Sequence, residues 1–235
     1  MIAAIANCLG RGELNLTRRA AAETTLTRRQ VLACVLAAPL LATPFGTYAA
    51  TPGSFQGSVT AEWLNDGRRM RLTKPFGYIG PDGRNWPVPA GTVVDGASIP
   101  SSLWSVIGGP FEGLYRDPSV IHDYYCDTRT RKYEDVHQVF YDAMLTAGVG
   151  HSKAWLMYEG VSRFGPRWPD PKIDKRCEAV DENYDFEKCA RNAVKPELEM
   201  PKVDRDDFQK FINDVEGQAD PADVAKLKQS LQLIP

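Results

Sequence analysis

The sequence predicts an α+β fold: a small antiparallel sheet over residues 55–95, three or four packed helices after it, and a C-terminal helical hairpin. Three observations predict it. Residues 58–94 are dense in β-formers and are cut by turn signals. Residues 117–165 carry apolar side chains at three- and four-residue spacing, the period of a half-buried helix. Two late segments on either side of Gly217 show the same spacing on one face only.

In order along the chain, the first element is an address. Residues 26–32 read LTRRQVL, an apolar run extends from Val31 to Ala42, and small residues lead to Ala49-Ala50. A basic start, a short apolar segment and a small-residue exit make an export signal. Arg28-Arg29 after Thr27 gives it twin-arginine character. The run is too short to span about 30 Å of hydrocarbon. The expectation is therefore cleavage after Ala49 or Ala50, a periplasmic or secreted product, and no transmembrane anchor after cleavage. Residues 1–50 hold five arginines and two glutamates, which leaves the remainder at −5. That mildly acidic remainder has no basic footprint for nucleic acid.

The predicted α+β domain spans 51–165. SVTAEWL, RRMRLT and FGYI read as strands, separated by Asn65-Asp66-Gly67, Lys74-Pro75 and Pro81-Asp82-Gly83. VPAGTVVDG adds a short strand that stops at Gly96. Pro100 opens a helix carrying Leu103, Trp104, Val106 and Ile107. Asp117-Pro118 reads as a helix start, an N-cap acid followed by proline. The next helix starts near Lys132, carries Tyr133, Val136, His137, Phe140, Tyr141 and Met144, and stops at Gly148. A third carries Ala154 to Phe164 and stops at Gly165-Pro166. Residues 166–235 form a polar tail with two amphipathic helices, starting at Asp204 and at Asp220-Pro221. Its Cys177 and Cys189 are close enough in sequence to form a stabilising disulfide in an oxidising compartment. Cys126 is then left over, buried on a helix or reactive.

Four features can carry chemistry. His122 and Asp123 lie in VIHDYYC and point about 100° apart on a helix, so they serve one site only in separate roles. His137 lies on the apolar stripe of the following helix. Two histidines and a carboxylate (His122, Asp123, His137) make a ligand set for a divalent ion, calcium or zinc. In VVDGASIP, Asp95 and Ser98 sit at a strand-to-helix turn, where His122 could activate Ser98 as a nucleophile. Each has a structural alternative: His122 and His137 as core residues, Asp123 facing water, Asp95 and Ser98 holding the turn. The fourth feature is the aromatic set Trp86, Trp104, Tyr115, Tyr124, Tyr125, Trp155, Tyr158 and Phe164, which lines a groove or fills the core.

DGASIP, a Leu-Trp helix, HDYYC, VFYDAM and a helix ending in RFG, in that order, resemble the domain of unknown function 1353 family of bacteria and phages, over roughly residues 54–165. The resemblance implies no particular activity. Against the family pattern, Cys126 replaces a tyrosine and His137 replaces an acid that would orient His122. The helix pair is also distantly similar to secreted phospholipases of the A2 class. That similarity implies His122 as base and Asp123 as calcium ligand, but the glycine-rich calcium loop and flanking cysteines of that class are absent.

Two functions follow as expectations. One is an exported hydrolase acting on an envelope component, lipid or peptidoglycan, with His122 as general base, Asp123 and His137 holding a metal, and Asp95 and Ser98 lining the cleft. The other is a non-catalytic periplasmic binding or assembly module of phage-like ancestry, with a periplasmic protein as partner.

Overall fold

The computed structural model describes residues 53–96, 111–172 and 194–234. The export segment, Ser98, the helix expected after Pro100, and Cys177 and Cys189 lie outside the described residues. The described chain is α+β, with six short strands followed by five α-helices.

The strands are β1 (Ser54–Gln56), β2 (Ala61–Trp63), β3 (Met70–Leu72), β4 (Phe76–Ile79), β5 (Asn85–Val88) and β6 (Val93–Val94). They form two three-stranded antiparallel sheets, in the orders β1-β4-β5 and β2-β3-β6, where the sequence reading expected one sheet. Lys74-Pro75 explains the division. Pro75 has no N–H to continue the ladder of β3, so the chain leaves that sheet and starts another at β4. The two predicted turns close the two hairpins. In Pro81-Asp82-Gly83, Gly83 takes φ +81°, its N–H bonds Gly80 O, and Gly80 N–H bonds Arg84 O. A three-residue loop with a left-handed glycine holds the β4–β5 register there. Pro87 is tolerated because β5 is an edge strand.

The helices are α1 (Arg116–Thr128), α2 (Tyr133–Thr146), α3 (His151–Phe164), α4 (Arg205–Val215) and α5 (Pro221–Ser230). Asp204 and Asp220 cap α4 and α5 as expected, accepting from the Asp207 and Ala222 amides, and Pro221 sits in the first turn. The start of α1 differs. A 3-10 turn, Gly113–Tyr115, runs directly into it, so Tyr115 takes the N-cap position without a side-chain bond. Asp117 and Pro118 fall inside the first turn, where a missing proline N–H costs nothing.

Every residue of α1 from Pro118 to Cys126 is buried. A helix covered all round must sit between layers. One face of α1 and α2 packs with the strands in a cluster that includes Met70, Tyr78, Trp86, Ile121, Tyr125 and Val136. Phe140 and Met144 of α2 look the other way, into a second cluster with Met157, Phe164, Phe211 and Leu227. The late helices thus bury their apolar faces against α2 and α3. The predicted aromatic set is mostly core: Trp86, Tyr115, Tyr124, Tyr125 and Phe164 are buried. No described helix is long and apolar enough to cross a membrane.

Phe211, fully buried beside Phe164 and Phe208, tests whether the tail helices are part of the core. Phe211→Ala should lower unfolding free energy by about 3–5 kcal/mol, read from urea denaturation. A loss under about 1 kcal/mol would mean that the hairpin is not stabilised by that packing.

Candidate functional site: a buried thiol and two imidazoles beside a groove

His122 and Cys126 stand four residues apart on α1, so both project from one face of the helix. His137 occupies the facing stripe of α2. The short 129–132 connection forces these faces together. His122 Nε2 lies 2.9 Å from His137 Nδ1, and His137 Nε2 lies 3.2 Å from the Pro166 carbonyl oxygen. The two rings are 1% and 2% exposed.

The partners fix the protons. The Pro166 carbonyl can only accept, so His137 donates from Nε2. Burial first, and Arg167 nearby after it, bring the His137 pKa down to about 4, against a raising effect from Pro166. Its Nδ1 therefore carries a lone pair and accepts from His122 Nε2–H. Burial, then the neighbouring His137, holds His122 well below the ordinary histidine range. A neutral His122 protonated on Nε2 leaves Nδ1 as an acceptor. The Cys126 sulfur lies 3.7 Å from Nδ1 and also 3.7 Å from Nε2. Since Nε2 already donates, the thiol can donate only to Nδ1. Equal distances place the sulfur beside the ring, so an in-line bond needs a small shift.

Asp123 points elsewhere, as the 100° step requires. Its Oδ2 accepts the Gly96 N–H, and this bond ties α1 to the turn that ends β6. Asp95 reaches the surface, 3.7 Å from Arg68. Among the described residues, no group of three or more His, Cys, Asp and Glu is arranged to hold a metal ion. The predicted His122, Asp123, His137 ligand set does not converge: the imidazoles bond each other and the carboxylate serves a backbone amide. Asp123 is 7% exposed, so the alternative in which it faces water is also corrected. Ser98, the predicted nucleophile, lies outside the described residues.

A groove of about 440 Å³ opens over this arrangement. Cys126 and Asp123 line it, whereas His122 and His137 lie behind. Asp95 also lines it. Sequence reasoning missed the rest: Arg69, Asp127 and Arg129 among the charged residues, and Leu198 and Met200 from the tail. The tail segment is fastened there. Arg129 Nη1 donates to Pro196 O at 2.6 Å, Lys195 pairs with Asp127 at 2.9 Å, and Arg167 and Glu199 exchange two backbone bonds of 2.8 Å. The i, i+4 spacing of His122 and Cys126 is a sequence signal that could have paired the thiol with an imidazole; the sequence reading treats Cys126 only as a leftover cysteine, buried or reactive.

Residues 70–161 match the family described as "Protein of unknown function (DUF1353)". Among curated proteins, the chain is 46% identical over 118 residues to uncharacterized protein y4jT of Sinorhizobium fredii, which covers 49% of this chain and 35% of that protein. It is 40% identical over 114 residues to uncharacterized protein y4iH of the same organism, covering 48% of each. The matches thus span between a third and a half of those relatives. No solved structure matches the chain. Residues 70–161, from β3 through the helices that carry His122, Cys126 and His137, are thus the part of the chain that is similar to this family.

Proposed function

We propose that the chain is an exported hydrolase of an acyl-bearing envelope component, with Cys126 as nucleophile and His122 as the base that activates it. One observation carries this reading: the Cys126 sulfur lies 3.7 Å from the His122 ring nitrogens, and Cys126 is among the residues that line the groove. His122 itself is 1% exposed and absent from the groove lining, so it works through the thiol and not directly on water or substrate in the first step.

The chemistry follows from the proton assignments. His122 Nδ1 takes the thiol proton, and the thiolate attacks the acyl carbon, forming a C–S bond and moving the carbonyl π pair onto oxygen. Collapse of that intermediate breaks the bond to the leaving group, which takes the proton back from His122. Water then enters the vacated space and attacks the thioester, again giving a proton to Nδ1. Collapse releases the carboxylic acid, and Cys126 recovers its proton. While Nδ1 is protonated, the Nε2–H of His122 stays bonded to His137, which keeps the ring in place. Arg69 and Arg129 bring positive charge to the groove, where developing negative charge would be stabilised. Asp123 is a positioning residue that holds the Asp95-Gly96 turn. The arginine-paired leader supports export, and export makes envelope material the available substrate.

The second reading is a non-catalytic periplasmic binding or assembly module. The equal distances from sulfur to both ring nitrogens favour it, because that sulfur is not aligned with a lone pair. The buried apolar faces of α4 and α5 count against the tail helices as its partner surface.

Acyl trapping separates the two readings. The full chain, pulsed with p-nitrophenyl acetate and quenched in acid, should carry an acetyl group on Cys126 by peptide mass spectrometry. His122→Ala should slow acetylation by about 100-fold or more, and Cys126→Ala should lose it. A folded wild-type protein with no acetyl on Cys126 would contradict the hydrolase.

The histidine pair also predicts a pH dependence. Both imidazoles are neutral when folded and titrate near 6.5 when unfolded. Below that pH the unfolded chain binds more protons, so the stability from the buried pair is full above 6.5 and lost as pH falls toward 4. The melting temperature should therefore drop between pH 7 and pH 5, with a shallower drop in His137→Gln. A flat or rising profile in the wild type would contradict neutral buried rings.

A further inference from the structure

We infer that Val93 and Val94 of β6, with Leu198 and Met200 of the tail, form a subsite for an aliphatic chain of the substrate next to Cys126. The inference rests on Cys126 being the reactive thiol. Val93, Leu198 and Met200 are 38%, 38% and 49% exposed. Other exposed large apolar side chains among the described residues, such as Trp63, Leu114, Leu145 and Leu233, do not line this groove. In this groove three stand together, with the less exposed Val94 joining them. An aliphatic ligand that covers them gains with each methylene it buries.

The wall is built before any ligand arrives. Leu198 and Met200 flank Glu199, whose backbone pairs with Arg167. In extended chain, residues two apart share a face, so the bond at Glu199 turns both neighbours the same way. The Arg129–Pro196 bond and the Lys195–Asp127 pair secure the segment just ahead of them. A preformed wall loses little freedom on binding. Charges of both signs line the same groove: Arg69 and Arg129 with Asp95, Asp123 and Asp127. The ligand that fits is amphiphilic, a short aliphatic acyl chain attached to a polar head able to pair with either sign.

Alkyl methanethiosulfonates of increasing length, methyl through butyl, probe this directly. The Cys126 thiolate attacks the sulfenyl sulfur, an S–S bond forms, the S–SO2 bond breaks, and methanesulfinate leaves with the electron pair. The thiol proton passes through His122 to solvent. Rates are read on the Cys126 peptide of the full chain by mass spectrometry and divided by each reagent's rate with glutathione. The expected result is a rise of up to about fourfold per added methylene. In Leu198→Ser/Met200→Ser the length dependence should flatten. Rates independent of length in the wild type would overturn the subsite while leaving the reactive thiol intact. An unchanged length dependence in the double variant would overturn the assignment to these residues. A Cys126 that reacts with no reagent would remove the thiol reading, and the subsite with it.

Discussion

One hydrogen bond, between His122 Nε2 and His137 Nδ1, constrains the centre of this fold. Neither ring reaches water. A buried imidazolium is expensive, so both rings stay neutral and each nitrogen must find a complementary partner. The Pro166 carbonyl settles the His137 tautomer, which settles that of His122, which leaves one lone pair for Cys126. The packing depends on the same sequence of contacts. It joins α1 to α2 and, through Pro166, joins α2 to the chain leaving α3.

Around that centre the fold has two tasks. The β2-β3-β6 sheet, through Val93 and Val94, and the Asp123–Gly96 bond set one side of the groove. The helices set the position of the thiol, and the tail supplies the opposing apolar residues. Arg129 stands where these parts meet. It ends α1 in the left-handed conformation, at φ 53°, an unfavoured geometry for a side chain with a Cβ. Its guanidinium reaches the Cys126 carbonyl at 3.4 Å and the Pro196 carbonyl at 2.6 Å. A cation at a helix C-terminus also meets the negative end of the helix dipole. One arginine thus ties the segment bearing the thiol to the segment bearing Leu198.

Local chemistry made much of the fold legible. The Asp204 and Asp220-Pro221 helix starts, the stops at Gly148 and Gly217, and the Pro81-Asp82-Gly83 hairpin depend on residues a few positions apart, and the structure has them where the sequence placed them. The start of α1 was less legible, because a preceding 3-10 turn displaced the capping signal at Asp117. The division into two sheets was hidden in the missing N–H of Pro75. The site was legible in part. His122 and His137 stand out in the sequence on neighbouring helices, as candidate ligands of one ion with Asp123, but their direct bond and the third partner at Pro166, 29 residues away, are set by tertiary packing. The tail wall was not legible at all. Leu198 and Met200 sit in a proline- and charge-rich stretch with no periodicity, and only the backbone pairing at Glu199 brings them to the groove.

The central claim is a proton arrangement, so the most direct measurement is of the protons. Two-bond 15N–1H correlation spectra of the imidazole rings distinguish the tautomers. The account predicts that His122 and His137 are both neutral at pH 7, each protonated on Nε2, with Nδ1 bare. A His122 protonated on Nδ1, or an imidazolium at either position, would contradict it. In either case Cys126 would lose the arrangement of a bare His122 Nδ1 beside an Nε2–H held by His137.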